Sequence, residues 1–468
     1  MFASRLKPLL ALLVAVCPSF AASAQEVKPE AGSGDQPPFP FMSRKRPLPD
    51  LTIKEKKENG YFTAIPLFGW DPDTGVNYGA EVDFFNNKTR DDPLFRYTPY
   101  RQKLSISGLT TSRGIQDYFV YYDRPYIADT PWRIKADAGF YRNPIQGYYG
   151  VGDASLEPFQ LPGTGTTFQK YGDYVRALEV TSGTTADTRF VQYRRTRADL
   201  KASAEYDLLG GLLRPLIGFQ SAYYWVHDYT GEMVDAVTPA GVGVRATQSP
   251  TKLNEDCASG RIQGCTGGWD NYLKAGMTLD TRDYEPDPSS GTLTQAMAEI
   301  SSKALGSSFE YQRMTFSSAG YFDLMPRPDR IVLAGRFLYS MQFGDVPVYS
   351  MATLAYSERD WEGLGGFRTL RGYRADRFIG KAAAMTNWEF RWRIGAVRWF
   401  DQLLRMTISP FWDSGRVFNK VSDTSLKHWQ NDFGLGFRLA WNLATVICFD
   451  YAYASEGHAF YMELGYGF

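Results

Sequence analysis

Residues 386–394, with the sequence TNWEFRWRI, carry the pattern that decides the fold. One set of alternate positions holds Thr386, Trp388, Phe390, Trp392 and Ile394, and the other holds Asn387, Glu389, Arg391 and Arg393. Because successive side chains of a strand point to opposite faces, one face is mostly apolar and aromatic and the other is polar. Such a segment is typical of a strand with lipid on one side and a polar lumen on the other.

The same period of two recurs through residues 61–468. It is clearest in residues 331–343, in residues 404–413 and in the last segment, HAFYMELGYGF, at 458–468. A closed barrel is the β structure that leaves no unpaired edge in lipid. We count sixteen segments and therefore predict an all-β fold, a 16-stranded antiparallel transmembrane β-barrel. Its outer loops are predicted to be long and its inner turns short, except for a long inner connection at 87–101.

The composition excludes several other classes of protein. Lys and Arg number 51, and Asp and Glu also number 51, whereas a nucleic-acid-binding protein needs a basic surface. After the N-terminus no apolar run approaches the about 20 residues that a membrane-spanning helix needs. The chain has three histidines, too few for a His-rich metal site. We therefore expect no metal, no cofactor and no nucleic-acid partner.

The N-terminus has the features of an export signal. Residues 1–24 contain a basic start, a short apolar core and the sequence Ala22-Ser23-Ala24 before Gln25, which is typical of signal-peptide cleavage. Residues 25–60 are rich in proline, glycine and charge and show no sustained periodicity. They predict a disordered periplasmic N-terminal tail.

Two cysteines lie close together in the exported part of the chain. Cys257 and Cys265 are eight residues apart in a polar, glycine-rich stretch. Because exported proteins meet oxidising conditions, we predict a local disulfide that closes a loop, with two free thiols as the alternative.

Four motifs follow one another along the chain. They are YYGVGD at 148–153, LDTRDYEPDPSSG at 279–291, GLGGFRTLRGYR at 363–374 and FWDSGRV at 411–417. Together they resemble motifs of the BamA/TamA outer-membrane protein family, the bacterial surface antigen barrel, and the resemblance covers residues 61–468. In that family the third motif lies in the sixth outer loop, and its core is here Arg371, Gly372 and Tyr373.

The loop motif predicts a contact inside the lumen. Arg371 keeps its charge and needs acceptors wherever it is buried, and the period of two directs Glu389 and Asp413 into the lumen. A loop folded back into the barrel would place Arg371 between the two carboxylates, as the resemblance also implies. The alternative is a surface loop with a solvated arginine. Gly365, Gly366 and Gly372 would permit close approach of the backbone.

The chain departs from the family at both ends. Members that insert or secrete proteins carry periplasmic POTRA domains before the barrel, and residues 25–60 show no such pattern, so we expect a POTRA-lacking member. At the other end, Tyr466 and Phe468 match the aromatic C-terminal assembly signal, although Glu463 stands where glycine is usual.

The resemblance leaves more than one function open. It implies an outer-membrane barrel in a Gram-negative bacterium, with lipid and the host's barrel-assembly machinery as partners. Its leading implication is a role in protein or lipid insertion or translocation, with an unknown substrate. A passive or gated pore is the alternative. We do not expect an enzyme, because the sequence contains no G-x-S-x-G nucleophile motif and few histidines.

Overall fold

The structure is a computed structural model, and it describes residues 37–48, 50–71, 74–285, 287–325, 330–357, 361–399, 402–441 and 445–468. The predicted signal peptide, residues 1–24, lies outside the described residues. Residues 38–468 belong to one structural unit.

In the described part of the chain, sixteen long strands form the wall of a nearly closed antiparallel barrel, which confirms the predicted fold class. Each strand pairs with the next along the sequence. We number them β1 to β16: Gly60–Asp71, Gly75–Asn86, Gln102–Thr111, Gln116–Arg124, Trp132–Gly147, Gln192–Tyr206, Leu213–His227, Tyr272–Asp280, Gly291–Ser301, Tyr311–Met325, Ile331–Gly344, Ala382–Trp399, Gln402–Phe418, Gln430–Trp441, Thr445–Ala454 and Gly457–Leu464.

The remaining elements are short. The α-helices are α1 Asp50–Glu55, α2 Asp153–Leu156, α3 Tyr171–Glu179, α4 Lys252–Ala258 and α5 Val348–Met351. Single 3₁₀ turns occupy Pro40–Met42, Ile127–Asp129, Leu209–Gly211, Lys303–Leu305 and Val421–Asp423. Short strands are Phe159–Gln160 with Thr167–Phe168, Thr185–Ala186 with Gly243–Gln248 and Met233–Val237, Gly267–Trp269 with β7, and Thr353–Leu354 with Trp361–Glu362. None of the helices in the described residues has the length and apolar character that crossing a membrane requires.

Strand β5 shows how the wall is oriented. Its outward-pointing side chains include Trp132, Ile134 and Phe140, each exposed over 37–41% of its surface. Its inward-pointing Lys135 is buried and donates to Glu205 of β6, with 2.6 Å between Nζ and Oε1. Apolar groups outside and paired charges inside are the arrangement of a barrel that has lipid around it.

The wall has a seam between its first and last strands. Strand β16 lies beside β1, but no backbone ladder joins the described residues of the two strands. Strand β16 is also short, since it ends at Leu464 rather than at the predicted residue 468. Gly465 takes a φ of +81°, a left-handed conformation that glycine adopts without strain, and it turns the chain out of the wall.

Residues 38–59, which we call the strap, lie against the inner end of the barrel, where the turns are short. The Arg44 amide donates to the Gly210 carbonyl (3.0 Å), and Lys45 Nζ lies 3.3 Å from the Asp207 carboxylate, both at the β6–β7 turn. Glu55 Oε1 lies 3.1 Å from the Arg398 guanidinium near the end of β12. The strap therefore connects distant parts of the inner rim.

The long inner connection, residues 87–101, is the platform for the strap. Lys56 Nζ donates to the carbonyls of Phe95 (2.6 Å) and Thr98 (2.7 Å) and lies 4.2 Å from the centroid of the Phe95 ring. Met42 of the strap packs with Leu94 and Tyr97 in a buried cluster. These contacts explain why an inner connection of this length is present.

The prediction of a disordered tail is therefore wrong for residues 38–60. The segment lacks a period of two because it joins no sheet until β1 begins, and it is ordered by contacts with residues far away in the sequence. Residues 25–36 of the predicted tail lie outside the described residues.

We predict that the strap is held less tightly as the pH falls. Burial lowers the pKa of Lys56 from its ordinary value of 10.5 to about 7, so release of the strap takes up a proton between these pH values. Lowering the pH from 9 to 7 should favour release by up to about tenfold per pH unit, with no further change below 7. The measurement is the rate of proteolytic cleavage in the strap of the folded barrel.

The Lys56→Met variant is the control, because it removes the titrating group. The ratio of wild-type to variant cleavage rates cancels the pH dependence of the protease. A ratio that does not change between pH 9 and pH 7 would contradict the prediction.

Candidate functional site in the barrel lumen

The connection between β11 and β12, residues 345–381, folds into the barrel, and we call it loop 6. Leu364, Leu370 and Phe378 of this loop are fully or almost fully buried. They pack with Leu338 of β11 and Met385 of β12 in one apolar cluster. Burial of these apolar side chains away from water therefore stabilises the position of the loop in the lumen.

Glycines let the loop turn and approach the wall. Gly365 and Gly366 have φ values of +111° and +100°, which other residues rarely adopt. A Cβ atom on Gly372 would lie 2.6 Å from the Cβ of Asp432 and 2.8 Å from the Cβ of Ala454. A larger residue at position 372 would therefore push the loop away from β14 and β15.

Arg371 lies between the two predicted carboxylates. Its Nε and Nη2 atoms donate to the two carboxylate oxygens of Asp413 at 2.7 and 2.8 Å, and its Nη1 donates to Glu389 Oε1 at 2.6 Å. Its guanidinium carbon lies 3.5 Å from the centroid of the Phe411 ring. Arg371 is buried, with 2% of its surface exposed. The bidentate contact with Asp413 strengthens the interaction and fixes the orientation of the guanidinium group.

A third carboxylate, which the sequence analysis did not place beside Arg371, belongs to the same site. Asp450 of β15 accepts from Arg371 Nη1 at 3.1 Å and from Arg438 Nη2 of β14 at 3.0 Å. Arg391 Nε donates to Glu389 Oε2 at 2.7 Å. The signal that could have found Asp450 is the same period of two, applied to β15.

Asn387 of β12 extends the site toward β11. Its side-chain amide donates to the Thr369 carbonyl (2.6 Å) and to Asp413 (2.8 Å), and its oxygen accepts from Arg336 Nε (3.0 Å). We refer to Arg371, Glu389, Asp413, Asp450, Arg391, Arg438 and Asn387 as the lumen cluster. The cluster connects loop 6 to β12, β13, β14 and β15, and it can position the loop but contains no nucleophile paired with a base.

Tyr373 completes the core of the loop motif. Its hydroxyl lies 3.3 Å from Gln430 Oε1, from the Asn431 carbonyl and from Ser455 Oγ. Its ring meets that of Phe378 at 5.0 Å. Tyr373 therefore contacts the outer ends of β14 and β15, above the level of Arg371.

Tyr466 and Phe468 do not continue β16 on its lipid face. The Arg391 guanidinium lies 3.9 Å from the Tyr466 ring centroid, and the Arg336 guanidinium lies 4.8 Å from that of Phe468. Main-chain oxygens of Gly467 and Phe468 accept from Arg336 (3.2 Å) and Arg391 (3.0 Å), respectively. These residues enter the lumen instead, and their part in assembly stays a prediction.

Cys257 and Cys265 lie in the outer connection between β7 and β8, far along the chain from the lumen cluster. The structure joins them in a disulfide that links α4 to the segment after it. Cys448 of β15 is a free, buried thiol.

The Omp85 superfamily domain matches residues 102–468. The chain belongs to the Omp85 superfamily. Residues 37–101 match a domain of unknown function, DUF5982. In this Omp85 barrel the DUF5982 match covers the strap, β1, β2 and the inner connection. It therefore corresponds to a part of the barrel wall together with the strap. No curated protein matches the sequence.

Solved structures of the same kind have low sequence identity to this barrel. BamA from Haemophilus ducreyi lacking POTRA domains 1–3 has 13% identity and a TM-score of 0.47, covering 88% of this chain and 70% of that chain. CdiB from Escherichia coli has 9% identity and a TM-score of 0.46, covering 87% of this chain and 62% of that chain. CdiB from Acinetobacter baumannii has 9% identity and a TM-score of 0.44, covering 88% of this chain and 60% of that chain.

We predict that Arg371→Ala releases loop 6 from the wall. The substitution leaves three buried carboxylates without a shared cation, and breaking a buried ion pair in this way costs about 3–5 kcal/mol. The variant should show a lower unfolding temperature, faster proteolysis of loop 6 and more frequent channel openings in planar bilayers than the wild type.

Arg176→Ala is the matched control, because Arg176 is an exposed arginine on α3 in an outer connection. Arg371→Lys should recover little, since an ammonium group cannot make the bidentate contact with Asp413. Equal conductance and equal loop proteolysis in the wild type and Arg371→Ala would show that the lumen cluster does not hold the loop.

Proposed function

We propose that this Omp85 barrel takes part in the insertion or translocation of protein or lipid at the outer membrane. The observation that carries the proposal is the unequal strength of the wall. Loop 6 binds β12, β13 and β15 through buried ion pairs, whereas no backbone ladder joins the described residues of β1 and β16. A wall with one strengthened side and one weak seam can open at the seam without loss of the fold.

The contacts beside the seam support the same proposal. The residues after β16 are held in the lumen through main-chain oxygens of Gly467 and Phe468. The rings of Tyr466 and Phe468 lie over the Arg391 and Arg336 guanidinium groups, and no side-chain ion pair holds this segment, because residues 465–468 carry no charged side chain. The last residues can therefore move while the lumen cluster stays in place.

The strap adds an inner gate to this proposal. It lies between the β6–β7 turn and the end of β12, so a substrate that enters the lumen from the periplasm has to displace it. The segment before β1 contacts the barrel itself rather than forming a separate receiving domain within the described residues. The proposal includes no chemical step.

A seam cross-link tests the proposal. Cysteine pairs are placed one at a time along residues 61–68 of β1 and 457–463 of β16, and the pair that oxidises completely is kept. The readout is the rate at which a urea-unfolded outer-membrane barrel folds into vesicles that contain the protein. We expect faster folding than in empty vesicles, loss of the acceleration on oxidation and recovery on reduction.

The matched control is Val82→Cys with Ile106→Cys, because these residues are registered partners on β2 and β3, away from the seam. Its disulfide should leave the acceleration unchanged. If the protein does not accelerate folding, and steady conductance persists with the seam cross-linked, the proposal fails and the pore alternative is supported.

A further inference from the structure

Three arginines meet at the outer rim of the wall, on the side formed by β5, β6 and β7. Arg142 lies on the outward face of β5 and Arg194 on that of β6, next to the buried Asn143 and Tyr193, which point inward. Arg189 comes from the loop just before β6, and its guanidinium lies 5.4 Å from the centroid of the Tyr229 ring. We call Arg142, Arg189, Arg194 and Tyr229 the rim cluster.

The four side chains of the rim cluster are close together. Arg142 is registered with Thr196, so Arg194 is its diagonal neighbour on β6, at about 7–8 Å between Cα atoms. Burial and, less strongly, the Glu232 carboxylate raise the pKa of Tyr229, whereas Arg189, Arg194 and Arg142 lower it, so all three guanidinium groups are within electrostatic reach of one phenol. The Tyr229 hydroxyl itself is fixed by donating to the Pro144 carbonyl at 2.7 Å.

The rim cluster lies at the level of the lipid headgroups. Trp132, at the inner end of β5, and Arg142 are ten residues apart on the same outward face, which is about 34 Å along a strand. With a strand tilt of about 40° this is about 26 Å along the barrel axis, just beyond an apolar band about 25 Å tall. The outward ring of Phe140 lies two residues below Arg142 on β5, and the outward ring of Trp225 on β7 is in register with Thr196, the partner of Arg142.

In the described part of the chain, no carboxylate forms an ion pair with the three arginines of the cluster. The guanidinium groups of Arg142 and Arg194 make no ion pair there, and Arg189 Nη1 donates to the neutral Gln192 side chain at 2.6 Å. Glu232, which also acts on Tyr229, contacts His227 Nε2 at 2.7 Å, and Asp228 accepts from Asn254 at 2.9 Å, so neither carboxylate bridges the guanidinium groups. Three adjacent cations at a membrane surface repel one another unless an anion lies between them.

We propose that the rim cluster binds the phosphorylated headgroup of a lipid in the outer leaflet of the outer membrane. Arg142 and Arg194 hold the phosphate from the wall, Arg189 from the loop above, and the acyl chains lie along the apolar column of β5 and β6. Arginine suits this ligand because its planar group binds phosphate oxygens in a bidentate manner. The inference rests on the barrel's place in the outer membrane and is independent of insertion or translocation.

The test is titration of the folded barrel, in mixed micelles with a non-ionic detergent, with lipid A, a glucosamine disaccharide lipid that carries two phosphates. Native mass spectrometry counts the lipid bound to each barrel. The double variant R142Q/R194Q loses two charge-assisted contacts at the surface and should bind roughly tenfold more weakly. Lipid A without its phosphates should bind the wild type as weakly as lipid A binds the variant.

The matched control is R176Q/R245Q, which neutralises two exposed arginines of the outer connections that already have ion-pair partners, Asp173 and Asp235. It should bind lipid A as the wild type does. Equal binding by the wild type and R142Q/R194Q, or by phosphorylated and dephosphorylated lipid A, would overturn the proposal. Competition by inorganic phosphate at the same concentration as the lipid would also overturn it, since the site would then take the free anion.

Discussion

A guanidinium group buried inside the barrel is the constraint on which the rest of the lumen depends. Arg371 needs acceptors at every donor that water cannot reach, and they come from β12, β13 and β15. The lumen faces of these strands are therefore polar, and Gly372 has to be small for the backbone to reach them. A slip of one residue in β13 would move Asp413 to the lipid face, so the loop conformation and the register of the wall depend on each other.

This dependence divides the wall into parts of different strength. The ion pairs of the lumen cluster lie on β12 to β15, and none of their side chains belongs to β1 or β16. Beside the seam, the chain after Leu464 is held mainly by main-chain oxygen acceptors and by rings that lie over Arg336 and Arg391. The charges that hold loop 6 thus strengthen the side of the barrel that adjoins its weakest boundary.

The sequence predicts most of the fold because strand pairing is local from one strand to the next and the period of two sets the face of every side chain. It also places Glu389 and Asp413 in the lumen, for the same reason. The prediction from the sequence fails at residues 466 and 468. The alternation of apolar residues continues to the end of the sequence, but the chain leaves the strand at Gly465, and the rings of Tyr466 and Phe468 lie against arginines. The prediction also fails for the strap, since Lys56 is held by carbonyls about forty residues away, and such contacts leave no periodic signal.

The strap and the inner connection explain why a separate domain match ends at residue 101. Residues 37–101 contain Lys56 and its carbonyl acceptors, three of the four buried members of the Met42 cluster, and the hairpin of β1 and β2 between them. Because this segment includes β1, any movement of the strap acts directly on one edge of the seam, whereas the lumen cluster acts on strands near the other edge. The two matched regions therefore meet twice in the wall, at the fully paired strands β2 and β3 and at the seam between β1 and β16.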